Sequence, residues 1–114
     1  MKVESELMRG AGPVAVLQLL SQSEMYGYEL VQALEKKSQG VLAMGDSTLY
    51  PMLYNLEAKG LIASRIDETG ARPRRYYRLT DAGKGKLAES RAQWENLVAA
   101  MGNLGVIPQP NPST

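Results

Sequence analysis

The chain of 114 residues contains no cysteine, histidine or phenylalanine and sets 13 Lys and Arg against 12 Asp and Glu, a formal net charge of +1. Those absences remove disulfide frameworks, thiolate chemistry, zinc sites and Ser–His or Cys–His nucleophile pairs together, so no cofactor is expected. With 44% hydrophobic and 22% charged residues, the composition is that of one small globular domain, at a size where roughly a third of the unfolded chain's surface stays exposed and association commonly completes the core.

No stretch approaches the roughly 18 uninterrupted apolar residues of a membrane span, since the longest, Val14–Leu20, is broken by Gln18. The acidic opening Met1-Lys2-Val3-Glu4-Ser5-Glu6 does not read as a signal peptide, and a cytoplasmic location without membrane contact is expected. Gly12-Pro13 followed by Val14, Val16, Leu17, Leu19 and Leu20 predicts a first helix over about 13–22, with proline in its first turn. Leu30, Ala33, Leu34 and Lys37 predict a second over about 26–38, ended by Gly40. Leu49, Met52, Leu53 and Leu56 satisfy the i, i+3, i+4, i+7 template in full, and Gly60 stands where a helix-ending glycine belongs. Pro51 is then expected in the first turn of this third helix, with Ser47 or Thr48 as its cap.

Leu61–Asp67 and Arg75–Leu79 are short and strand-forming, and Thr69-Gly70-Ala71-Arg72-Pro73 lies between them, so a two-stranded hairpin is expected. Thr80 is a capping hydroxyl for a long final helix carrying Leu87, Trp94, Leu97, Val98, Met101 and Leu104, although Gly83 and Gly85 weaken its start. Prolines 108, 110 and 112 end the sequence without apolar periodicity, and residues 105–114 are expected to form an extended, disordered tail.

Three helices followed by a hairpin is the chain order of a winged helix-turn-helix: a mainly α, α+β fold whose third helix enters the DNA major groove. If Leu49, Met52, Leu53 and Leu56 face the core, the outer face of that helix presents Ser47, Thr48, Tyr50, Tyr54, Asn55 and Lys59, with hydroxyls and lysine for phosphates and an amide for base edges. A plain solvent face would carry a similar set. Arg72, Arg74, Arg75 and Arg78 fall within seven residues free of acid, and such mutual repulsion is better explained by a polyanion than by stability. Of Tyr76 and Tyr77, one must point inward. A small domain cannot cover the apolar stripe of a long projecting helix, in which Leu87, Trp94 and Met101 recur every seven residues; a homodimer joined through Leu87, Trp94, Leu97, Val98, Met101 and Leu104 is expected to read a palindromic double-stranded operator. The domain plan is thus 1–80 for the winged helix and 81–104 for dimerisation. Enzymatic activity is not expected, because Glu29, Glu35, Glu57 and Asp81 have no histidine, cysteine or phosphate-binding loop to work with. The rival to DNA binding is a winged helix used for protein interaction, its arginines meeting an acidic partner.

Tyr26-Gly27-Tyr28-Glu29-Leu30, Ser47-Thr48-Leu49-Tyr50-Pro51, Leu56-Glu57, Lys59-Gly60-Leu61-Ile62 and Arg72–Thr80 together resemble the PadR-like winged-helix transcriptional regulators, over roughly residues 7–104. The resemblance implies a dimeric repressor whose third helix, joined by Tyr26, reads DNA while the wing arginines hold its backbone. Small drug-sensing members carry a tryptophan in the last helix that Trp94 matches; there the paired indoles stack on flat aromatic effectors, and Trp94, Val98, Val14 and Leu7 are the residues of this chain implied to line such a site. Simple packing of the dimer is the other reading of Trp94. Val98 stands where a cation pocket would want an acid, which points to neutral planar ligands.

Overall fold

The computed structural model describes residues 1–108. In chain order it forms α1 (Ser5–Leu20), β1 (Met25–Tyr26), α2 (Gly27–Lys37), α3 (Asp46–Ala58), β2 (Ile62–Asp67), β3 (Arg74–Leu79) and α4 (Asp81–Leu104). The sheet is antiparallel with order β1-β3-β2. Leu17, Leu30, Leu49, Leu53 and Ile62 are at most 2% exposed and bring α1, α2, α3 and the base of the hairpin onto one core.

The first helix begins at Ser5, about two turns before the expected start, and Pro13 lies inside it. Proline there removes one amide, but the preceding turns are held by tertiary packing: Met8 is 4% exposed, and the Val3 amide donates to the Val41 carbonyl at 3.0 Å. Burial of an apolar face outweighs the local breaker signal of Gly10, Gly12 and Pro13. The third helix likewise starts early, at Asp46 behind the cap Gly45, rather than at Ser47 or Thr48. The Gly45 carbonyl accepts the Thr48 and Leu49 amides at 3.1 and 3.0 Å, closing the first turn before Pro51 is reached. Ser47, whose carbonyl lacks the amide that proline cannot supply, is exposed, so water can replace the missing bond. As expected, Leu49, Leu53 and Leu56 are buried, while Met52 is only partly so.

The hairpin matches expectation, with register running from Ile62↔Leu79 to Asp67↔Arg74. Its third partner, β1, was not expected: two residues with no strand pattern of their own are extended because Met25 and Tyr26 pair with Tyr77 and Tyr76. Tyr77 is the inward tyrosine, 6% exposed. The final helix starts as expected, with Thr80 Oγ1 accepting the Gly83 amide at 3.0 Å. It projects beyond the core, and residues 91–100 are all exposed; the molecule is accordingly 58 Å long against 29 and 25 Å in the other directions. Leu87 departs from the expected interface stripe, being 5% exposed within the chain's own core. The first turns of α4 still lie over the domain, and a seven-residue spacing serves a core contact as well as a partner. Residues 105–107 are not extended: Gly105 adopts φ +87° and the Val106 amide returns to the Met101 carbonyl at 2.9 Å, a left-handed helix stop. Residues 109–114 of the expected tail lie outside the described residues.

Candidate nucleic-acid interface

The inner face of β3 carries Arg75, Tyr77 and Leu79, and the outer face carries Arg74, Tyr76 and Arg78, by strand alternation. Tyr77 is buried on this inner face and shares a groove with Tyr50 of α3. Burial pushes its hydroxyl above the ordinary phenol range, a shift opposed by the nearby Arg75 charge. Beside it Arg75 Nη1 donates to Ser64 Oγ at 2.9 Å, and the Ser64 hydroxyl donates to Glu57 Oε2 at 2.7 Å. Tyr50, from the first half of α3, stacks toward the start of α2, where a Cβ on Gly27 would overlap its hydroxyl. A larger residue at 27 would therefore require the exposed Tyr50 ring to swing away from the start of α2. Together Tyr26, Tyr28, Tyr50, Arg72, Arg74 and Arg75 line a groove of about 510 Å³ between wing and helices.

On the outer face Arg74 lies 4.6 Å above the Tyr26 ring and Arg65 lies 5.0 Å from the Tyr76 ring, while the two rings meet edge to face at 5.4 Å. Stacking of this kind restrains a guanidinium without neutralising it. Arg65 is ion-paired to Glu24, whose carboxyl is held below its usual range by that hydrogen bond. The wing tip is set by Asp67, which accepts the Thr69 amide and hydroxyl at 2.9 and 2.6 Å. Those bonds hold the Asp67 carboxyl below its ordinary value. Among the described residues none of Arg72, Arg74, Arg75 and Arg78 forms an ion pair, although Asp67 stands opposite Arg74 across the hairpin and Arg78 helps to lower the Glu24 carboxyl.

The polar set expected on one face of α3 is divided. All six residues are exposed, with Tyr54 at 75%, but they face different neighbours. Tyr50 faces the wing groove, while Thr48 turns toward α1 and lines a pocket with Met8 and Arg9. Lys59, at the end of α3, instead lines a cavity of about 400 Å³ between α1 and α4 with Pro13, Val14, Leu17, Trp94 and Leu97. Val14 and Trp94 are thus brought together. Leu7 and Val98 are not among the residues lining that cavity and are 59% and 49% exposed. Sequence reading missed Glu24, Ser64 and Arg65, whose partners are distant in the chain, and the paired role of Glu57. No local pattern marks them. No group of three His, Cys, Asp or Glu able to hold a metal occurs among the described residues, and no described helix is long and apolar enough to cross a membrane.

Three helices with a polar outer face on the third, followed by an antiparallel hairpin with a cationic strand, define a winged helix-turn-helix regulator. The chain belongs to the PadR-like family of transcriptional regulators, whose family model matches residues 16–89. It is 37% identical over 92 residues to the transcriptional regulator Rv3488 of Mycobacterium tuberculosis, covering 81% of this chain and 83% of that one. A PadR family transcriptional regulator from Eggerthella lenta shares 42% identity at a TM-score of 0.76, over 87% of this chain and 85% of its own. A transcriptional regulator from Clostridium thermocellum superposes at 0.81 with 28% identity, over 89% and 96% of the two chains. Members of this family regulate transcription and are not enzymes, and the same holds for this chain.

Proposed function

We propose that the chain is a homodimeric repressor that binds a palindromic DNA operator and is released by a planar small molecule at the dimer interface. The observation that carries this reading is the segregation of the surface. Arginines outside any ion pair and the exposed Ser47, Tyr54 and Asn55 lie around the wing and α3, whereas α4 projects an apolar stripe with Trp94, Leu97, Val98 and Leu104 between 36% and 77% exposed. A second copy packed on that stripe by two-fold symmetry repeats the α3 helices for half-sites about 34 Å apart. Winged domain 1–80 reads the DNA, and helix 81–104 joins the copies. Asn55 and Tyr54 contact base edges, and Arg72, Arg74 and Arg75 contact the backbone and narrow minor groove.

The effector is assigned to the cavity where Val14 meets Trp94, completed by Leu7 and Val98 from the exposed face that a second copy would cover. Lys59 and Lys86 at its rim disfavour a cationic ligand and leave neutral or anionic planar compounds. The test is a gel-shift titration on DNA upstream of the chain's own gene, at graded salt. Binding that weakens steeply as salt rises is expected, because phosphate neutralisation releases counterions. Absence of binding at low salt refutes the reading. Capture of an acidic protein partner in its place, unaffected by nuclease, supports the protein-interaction reading.

A further inference from the structure

The wing arginines differ in what holds them. Arg74 rests on the Tyr26 ring, whereas Arg75 is tied to the recognition helix through side chains. Glu57 lies on α3 and Ser64 on β2, and Ser64 is paired with Tyr77, two residues from Arg75 on the same face of β3. Ser64 and Arg75 are therefore diagonal neighbours across the hairpin, within reach of a long side chain. The single Ser64 hydroxyl proton is directed at Glu57 at 2.7 Å, which leaves an oxygen lone pair for the Arg75 guanidinium at 2.9 Å.

We propose that Glu57 and Ser64 are positioning residues that preset Arg75 against the recognition helix before DNA arrives. This rests on the DNA-binding reading above. An acid beside a phosphate-binding arginine is otherwise a liability, since its charge repels the backbone. Routing it through a hydroxyl resolves the conflict. A direct Glu57–Arg75 pair would neutralise the guanidinium and occupy its fork, whereas the relay uses one of the five N–H donors and leaves four for phosphate. The relay also joins α3 to the wing, so base contacts from the helix and backbone contacts from the hairpin are set in one frame. An arginine already ordered loses less rotamer freedom on binding, which is worth a factor of about 3–10 in affinity.

The experiment measures operator affinity by fluorescence anisotropy for the wild type, S64A, S64T, E57Q, E57L, R75A and the S64A/R75A pair, each over a range of salt. S64A is expected to bind about 3- to 10-fold more weakly with an unchanged slope of log affinity against log salt, because Arg75 still reaches its phosphate once bound. R75A is expected to lower the magnitude of that slope by about 0.9. Adding S64A to R75A should have no further effect, and S64T should restore wild-type affinity. E57Q and E57L both remove the negative charge next to DNA, which by itself tightens binding, but Gln Oε1 can still accept the Ser64 hydroxyl whereas Leu cannot; the relay requires that E57L bind more weakly than E57Q. Wild-type affinity in S64A, an S64A effect that persists unchanged in R75A, or binding by E57L as tight as by E57Q overturns the relay while leaving the DNA-binding reading standing. Loss of operator binding by the wild type overturns the reading itself.

Discussion

Two glycines in the first turns of α4 should respond oppositely to alanine. A Cβ on Gly83 would overlap the backbone carbonyl of Leu61 and lie 2.6 Å from Leu79 Cδ1, whereas nothing lies within 4 Å of the corresponding atom on Gly85. The Leu61 carbonyl cannot rotate away, because it accepts the Thr80 amide at 3.2 Å while the Thr80 hydroxyl donates to the Gly60 carbonyl at 2.7 Å. To accept the methyl group, α4 must retreat by on the order of 1 Å. That breaks the Thr80 cap, worth about 1 kcal/mol, weakens a backbone bond of about the same value, and adds about 1–3 kcal/mol of overpacking strain. Alanine's helical advantage over glycine returns about 1 kcal/mol. Gly83→Ala should therefore destabilise by about 2–4 kcal/mol, a fall in Tm of roughly 8–16 °C for a chain of this size. Gly85→Ala should raise stability by about 0.5–1 kcal/mol. Circular dichroism melts at one protein concentration check both, since association makes Tm concentration-dependent. A Gly83→Ala melt within about 1 °C of wild type refutes the packing inferred at this junction.

Thr80→Ala, which removes the cap but adds no bulk, should cost about 1 kcal/mol and leave operator preference unchanged, as read by urea denaturation and competition binding. Val98→Glu places a charge in the proposed dimer face and should yield a monomer with sharply reduced operator affinity; a dimer of unchanged stability in sedimentation would move the interface elsewhere. The carboxyl of Glu24 is lowered by its bond to Arg65. Its contribution to stability is therefore present above the unfolded carboxylate pKa and lost as pH falls through the lower folded value. Glu24→Gln should flatten that part of the acid limb in urea midpoints taken from about pH 6 to about pH 3; an unaltered limb would show that the pair adds nothing.

Where local chemistry decides the conformation, the fold was legible in the sequence. The Leu49, Leu53, Leu56 periodicity, the Thr80 hydroxyl before α4 and the breaker segment between the wing strands each determine their element within a few residues. Long-range packing decides the rest. Met25 and Tyr26 become a strand only because β3 supplies partners, and the start of α1 is helical despite Gly10, Gly12 and Pro13 because Met8 reaches the core. In the candidate site the arginines stood out by density alone. Their restraints did not, since Glu24 and Arg65 are 41 residues apart and Ser64 and Arg75 are 11. The near-neutral total was equally uninformative: residues 1–60, 61–91 and 92–114 carry net charges of −2, +4 and −1, so the positive field belongs to the wing and the first turns of α4.

On the proposed reading, effector and operator meet through α3. Leu56 and Lys59, near its C-terminal end, line the cavity that holds Trp94, and Tyr50, about two turns earlier, lines the wing groove. A 13-residue helix is about 20 Å long and moves as a rod, so a ligand that fits the cavity best with the helix end displaced must also displace Tyr54 and Asn55 beside that end and Tyr50 in the wing groove. Displacement is explained only by differential affinity for the two poses, and the coupling is then reciprocal. Trp94 is the single tryptophan of the chain, and its quenching reports ligand occupancy directly. A planar aromatic that weakens operator binding by some factor should itself bind more weakly by that same factor when saturating operator is present. Quenching that is indifferent to operator, for a ligand that does shift DNA affinity, would place the coupled site away from Trp94 and break the connection through α3.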